Sequence, residues 1–120
     1  RIQESHGRGE KFTVNVFTGA STAPELDGAL ASVDGIGWRM PYQSDPQMRS
    51  KINDGTSFYT DIHLSESGMM VRQGFFGKVD FAVIEATRIT ADGDVVLTSS
   101  VGNNAVYCDT AEKVIIEVNS

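Results

Sequence analysis

Three short stretches concentrate the side chains that could bind a small polar or anionic ligand. They are Thr18-Gly19-Ala20-Ser21-Thr22, Tyr42-Gln43-Ser44-Asp45 and Ser99-Ser100-Val101-Gly102-Asn103-Asn104. Each offers hydroxyls, amides or backbone N–H groups. The first bends at Gly19 and runs straight into a predicted helix, whose free N–H groups and positive end attract carboxylate or phosphate. It is neither a P-loop, since the lysine is missing, nor a GxGxxG turn. A capped helix behind a tight turn explains the same residues without a ligand. The second stretch supplies a phenol, an amide and a hydroxyl, with Arg39 beside it as a counter-charge. Its simpler reading is a helix cap next to a surface arginine. In the third, Gly102 permits close backbone approach, although a plain strand-to-helix connection would use the same residues.

The remaining reactive side chains point to structure. His63 stands near Asp61 and Ser65, but triads assemble in space, and no nucleophile elbow is present. His63 reads as a hydrogen-bonded loop histidine and His6 as an exposed one. Two histidines and one cysteine, widely separated, make no metal-ligand spacing. Cys108 has no local cation to activate it and reads as a buried, inert thiol. Glu25 and Asp27 look like helix-start charges that complement the dipole.

The elements that must carry the turns alternate along the chain. Phe12–Phe17 reads as a strand. A helix then opens on a capping box, with Thr22 at the cap, Glu25 three residues on and Pro24 in the first turn. Leu26, Ala29 and Leu30 form its apolar face. Ile36–Met40 is a short strand. Ser44 or Asp45 caps a second helix, which Gly55 ends. Phe58–Ile62 is a strand, and Ser67–Gln73 a helix stopped by Gly74. Val79–Glu85 and Val114–Val118 are near-continuous apolar runs, the pattern of strands covered on both faces. Ile89-Thr90, Asp92-Gly93 and Val95–Leu97 suggest a hairpin, and Asn103–Thr110 a short helix. This order predicts an α/β fold: an open, mainly parallel sheet with helices on both faces. Its carboxyl edge would carry the three turns, where open α/β sheets bind ligands.

The bulk numbers set limits. The 120 residues suit a single domain or a piece of one. A hydrophobic fraction of 40% and a charged fraction of 22% are those of a globular chain. A net charge of −6 argues against nucleic acid and anionic membrane as partners, while a local site for an anionic substrate remains compatible with it. No apolar run has the length of a membrane span. One cysteine excludes an internal disulfide and fits a reducing compartment. Arg1 opens in apparent mid-helix, and Asn119-Ser120 follows directly on an apolar strand, so a fragment of a longer protein is expected.

Several blocks together carry a resemblance. Thr18-Gly-Ala-Ser-Thr-Ala-Pro-Glu-Leu-Asp-Gly-Ala-Leu-Ala31, Pro41-Tyr-Gln-Ser-Asp45, Arg49 with Ile52-Asn53, Val83-Ile-Glu-Ala86, Ile89-Thr90, Thr98-Ser-Ser-Val-Gly-Asn103 and Ala111-Glu-Lys-Val-Ile-Ile-Glu-Val-Asn119 resemble, in order, the amino-terminal half of the acetyl-CoA hydrolase/transferase family. That family includes succinyl-CoA:acetate and 4-hydroxybutyrate CoA-transferases.

The resemblance implies a CoA-transferase (NagB/RpiA-like) fold, here incomplete, with residues 1–120 as one α/β domain within the amino-terminal part of a longer enzyme. It implies acyl-CoA and small carboxylates as partners, CoA as substrate and no bound cofactor. A homo-oligomer is implied too, in the cytoplasm or, in a eukaryote, the mitochondrion. The nucleophilic glutamate of the family belongs to the carboxy-terminal half, so this chain is expected to hold no catalytic residue and no metal ligand, and to be inactive alone. Glu85 reads as structural or supporting. Gly19, Ala20, Ser21, Thr22, Tyr42, Ser44, Gly102 and Asn103 are the substrate-binding candidates, with Ser21 and Ser44 matching positions that line the acyl-carboxylate side of the family's pocket. A citrate lyase α-type transferase and a non-catalytic sensor domain of the same fold remain alternatives.

Overall fold

A computed structural model describes residues 2–21 and 24–119. In chain order the elements are α1 (Ile2–Gly7), β1 (Val14–Phe17), α2 (Asp27–Ala31), β2 (Ile36–Met40), α3 (Pro46–Asn53), β3 (Phe58–Tyr59), α4 (Leu64–Arg72), β4 (Val79–Ile89), β5 (Val95–Leu97), α5 (Asn104–Thr110) and β6 (Ala111–Val118). The fold is α/β with open, mainly parallel sheets. The chain divides into two compact units, Arg1–Leu64 and Ser65–Ser120, each with its own three-stranded sheet.

The first unit is built on β1-β2-β3, all parallel. Its core joins Ala31, Ile36 and Met48, flanked by Val16, Leu30 and Ile52. Trp38 meets Phe17 and Phe58 edge-on, with centroids 5.2 and 5.7 Å apart, and its indole N–H donates to Thr60 Oγ1 at 2.9 Å. Asp45, of the two residues able to cap α3, is the one that does. Its carboxylate accepts from the Gln47 and Met48 amides, with Pro46 at the first helical position.

The helix expected from Thr22 onward starts later. Pro24–Leu26 form a turn, α2 begins at Asp27, and no side chain caps it. Thr22 itself lies outside the described residues. The fully buried residues of α2 are Asp27, Gly28 and Ala31. Of the expected Leu26, Ala29 and Leu30 stripe, Leu30 packs against the core, Ala29 is half-buried and Leu26 is exposed. The cause is a charge: the Asp27 carboxylate is drawn into the interior by an arginine, and the helix turns to follow it.

In the second unit β4 pairs antiparallel with β5, as a hairpin, and parallel with β6. The two apolar runs are thus neighbours, Val83 opposite Ile115 and Ile84 opposite Ile116. Only one of their faces is covered. α5 lies over the face of Ile84 and Ile116, enclosing a recess of about 430 Å³ with Val95, Leu97 and Cys108. On the other face Phe81, Val83 and Ile115 are 56%, 68% and 51% exposed. The expectation of two covered faces therefore fails within this chain, whose α5 supplies a layer to one side alone.

Candidate functional site

The ends of β1 and β2 continue to pair after the strands stop. The Thr18 amide donates to Met40 O at 3.1 Å, and the Ser21 amide to Tyr42 O at 3.4 Å. The Ser44 amide returns a bond to Ser21 O at 3.2 Å. Ser21 and Gln43 thereby form a parallel bridge beyond the sheet. The first two predicted turns are joined at one edge, the carboxyl edge of parallel strands, where such sheets hold ligands.

Burial sorts the candidates at that edge. Ser21 is buried, 8% exposed, and among the described residues its hydroxyl has no hydrogen-bond partner. Gly19 and Ser44 are half-buried, whereas Ala20 and Tyr42 are exposed. The Ser44 hydroxyl points to Ser21 O at 3.5 Å, a long and weak contact. Gln43, noted in the sequence as the amide of the second turn but not among the substrate-binding candidates, adds something: its amide oxygen is buried and unpaired among the described residues. A buried acceptor without a donor is costly, so this oxygen is available to a donor that the described residues do not supply. Only its position in the polar second turn signalled it.

Three successive carbonyls, from the end of β2 into the second turn, are gripped by side chains. Arg39 Nη1 donates to Met40 O at 2.6 Å and Nη2 to Tyr42 O at 2.9 Å. The Tyr59 hydroxyl donates to Pro41 O, next to the cis Met40–Pro41 peptide. The same guanidinium binds Asp27 with two parallel bonds, Nε to Oδ1 at 2.6 Å and Nη2 to Oδ2 at 3.1 Å. Both side chains are fully buried. This corrects two expectations. Arg39 is neither a surface residue nor a free counter-charge for a ligand, and Asp27 is more than a dipole complement. A charge can enter an interior only when paired and hydrogen-bonded, and each has supplied that condition to the other.

Gly28 fits the same cluster. A side chain there would place its Cβ 2.8 Å from Asp45 Oδ2. The start of α2 and the cap of α3 can approach this closely only because position 28 is glycine. Arg49 reaches the edge from α3, donating to Ser44 O at 3.3 Å.

The remaining candidates lie in the second unit. Gly102 is exposed with φ +42°, in the region where glycine is favoured. Asn103 precedes α5 without capping it through its side chain. Its amide nitrogen donates to buried Ser67 Oγ at 2.6 Å, and its Oδ1 packs at Gly68. That amide therefore already ties the turn to α4. Glu85 has both oxygens engaged, accepting from Thr98 Oγ1 at 3.2 Å and Asn119 Nδ2 at 3.1 Å. Burial, with the Asp109 charge, pushes the Cys108 thiol above its usual value, which disfavours thiolate chemistry. His6 is half-buried rather than exposed, because its Nε2 is held between the backbone N and O of Phe12. No helix among the described residues is long and apolar enough to cross a membrane.

An α/β chain that joins two polar turns at the carboxyl ends of parallel strands, with the Ser21 hydroxyl unpaired among the described residues, has the layout of α/β domains whose sheet edge is open to small polar ligands. The family follows from comparison with known proteins. The model of the acetyl-CoA hydrolase/transferase N-terminal domain matches residues 1–120, and the chain belongs to that family. It is 44% identical over 119 residues to a propanoyl-CoA:succinate CoA transferase of Escherichia coli, covering 99% of this chain and 24% of that protein. It is 43% identical over 110 residues to a succinyl-CoA:acetate CoA-transferase of Clostridium kluyveri, covering 92% and 20%. An acetyl-CoA hydrolase of Saccharomyces cerevisiae is 36% identical over 117 residues, covering 92% and 22%. The chain thus spans between a fifth and a quarter of the length of these relatives.

Proposed function

We propose that this chain is part of a CoA-transferase or acyl-CoA hydrolase that moves CoA between an acyl-CoA, acetyl or succinyl, and a carboxylate. The observation that carries the reading is the family match along residues 1–120, with relatives whose names state this chemistry. The covalent route proposed is the family's. A glutamate outside this chain attacks the acyl thioester and releases CoA thiolate. The thiolate then takes the glutamyl carbonyl of the resulting anhydride and frees the first carboxylate. A second carboxylate attacks the glutamyl-CoA thioester, forming a new mixed anhydride and releasing CoA thiolate. That thiolate then attacks the acyl carbonyl of the new anhydride to give the new acyl-CoA and the free glutamate. This divides one difficult exchange into easier ones.

The chain's own part is to receive the carboxylate end of the acyl group or acceptor at the joined edge of Ser21 and Ser44. The Ser21 hydroxyl, unpaired among the described residues, supports this role, since a hydroxyl donating to a carboxylate makes a charge-assisted bond. Gly19, Ala20, Thr22 and Tyr42 complete the proposed contacts of that edge. Gly102 and Asn103 are proposed as substrate contacts from their sequence and local backbone. The longer protein is expected to act as a homo-oligomer in the cytoplasm, or in the mitochondrion of a eukaryote.

The test uses the longer protein and the 120-residue chain side by side. Each is incubated with succinyl-CoA and acetate, and acetyl-CoA formation and protein mass are followed. The longer protein should turn over and accumulate a CoA adduct, while the chain does neither. Turnover by the chain alone would contradict the proposal. So would a longer protein that binds acyl-CoA without turnover, as a sensor would, or one that accepts only citrate.

A further inference from the structure

We propose that Arg39, locked in place by Asp27, is a positioning residue for carboxylate recognition: it holds the Met40 and Tyr42 carbonyls and thereby sets how the Ser44 segment faces Ser21. This rests on the reading of that edge as the carboxylate site. Four bonds of one guanidinium define the device. Two go to Asp27 on α2, and two go to carbonyls on either side of Pro41. Tyr42 O also accepts the Ser21 amide, and Ser21 O accepts the Ser44 amide. Arg39 is therefore one bond removed from Ser21 and never touches the open edge. The planar guanidinium can serve a carboxylate and two carbonyls at once, which a lysine ammonium cannot match geometrically. With both partners buried, the assembly has no solvent to soften it, so the turn is fixed before a ligand arrives. Preorganisation of that kind lowers the ordering cost of binding.

A structural role and a positioning role make different predictions. Removing one member of a buried pair strands a charge, but replacing both with apolar groups of similar volume is often neutral for stability. Arg39→Met and the double change Asp27→Leu with Arg39→Met are made in the longer protein. The single variant should melt several degrees lower, and the double variant should recover most of that loss. In the double variant the KM for acetate should still rise about tenfold, within the cost of a misplacement of about 1 Å. The KM for acetyl-CoA, whose acyl group carries no free carboxylate to place at this edge, should hold within about twofold. Exchange of the Ser21 amide should quicken about tenfold, since its acceptor, Tyr42 O, is no longer held, and exchange of the Ser44 amide should follow because it is bonded to Ser21 O. A double variant with restored melting, an unchanged acetate KM and unchanged amide exchange would overturn the proposal and leave the pair a purely structural one. If the double variant does not fold, Arg39→Lys decides. Retained melting with a raised acetate KM supports positioning, and an unchanged acetate KM overturns it. Should the wild-type longer protein show no transferase activity, the functional reading fails, yet amide exchange in the variants still decides whether Arg39 sets this edge.

Discussion

The two units stabilise their parallel strands in opposite ways. In the first, the interior beside β2 contains Arg39, Asp27, Asp45, Ser57 and Ser21, all buried. In the second, the covered face of β4 is Ala82, Ile84 and Ala86, and among the described residues only Ser67 is a buried polar residue of that unit. Apolar burial is non-directional. It holds β4 against β6 and α5 but specifies no particular carbonyl orientation. Hydrogen bonds from a buried guanidinium are directional and costly to leave unmade. The polar unit is therefore the one whose backbone is dictated atom by atom, as a binding edge demands. The contrast favours the edge of the first unit as the place for the proposed carboxylate contacts.

The largest effect expected in the second unit tests its half of the contrast. Ile84→Ala should destabilise the longer protein by about 2–5 kcal/mol, the cost of emptying an apolar core site, with acetate KM unchanged. Urea unfolding and steady-state kinetics check this together. A loss below about 0.5 kcal/mol, or a changed acetate KM, would break the distinction between the units.

A smaller effect belongs to the first unit and depends on pH. Burial, with the Asp61 charge adding to it and Arg39 opposing, pushes the Tyr59 phenol above its ordinary value of 10.0. The folded state then holds this proton more tightly than the unfolded chain does. The stabilisation is full below about pH 10 and is lost as pH rises through the folded value. Tyr59→Phe should remove that alkaline slope, at a neutral-pH cost of about 1 kcal/mol for the bond to Pro41 O. Melting curves from about pH 8 to about pH 11 cover the window. A slope that persists in the phenylalanine variant would assign it to another group.

Much of the layout was legible in the residues. Asp45 followed by Pro46 announced the start of α3, and Gly55 and Gly74, with φ +78° and +74°, mark stops that glycine signals locally. The adjacency of β4 and β6 followed from two continuous apolar runs. What escaped was non-local. Nothing near Asp27 in the chain shows that Arg39, twelve residues on, will take it into the interior, so the helix start, its buried face and the role of the arginine were all misread together. The exposed Phe81, Val83 and Ile115 were misread for a related reason. An apolar run shows that a face can be covered, but not which polypeptide covers it. At the candidate edge the sequence indicated Ser21 and Ser44, while the pairing that brings them together depends on the register of β1 against β2.

The claim that the Ser21 edge receives the carboxylate is tested most directly by Ser21→Ala in the longer protein, with melting temperature and kcat/KM for acetate measured on the same sample. A hydroxyl that binds ligand and nothing else should leave melting almost unchanged and lower kcat/KM by about 1–3 kcal/mol, the range for a hydrogen bond to a charged group. A protein that melts lower by the equivalent of about 1 kcal/mol, the size of a lost structural hydrogen bond, with kcat/KM for acetate intact, would contradict it.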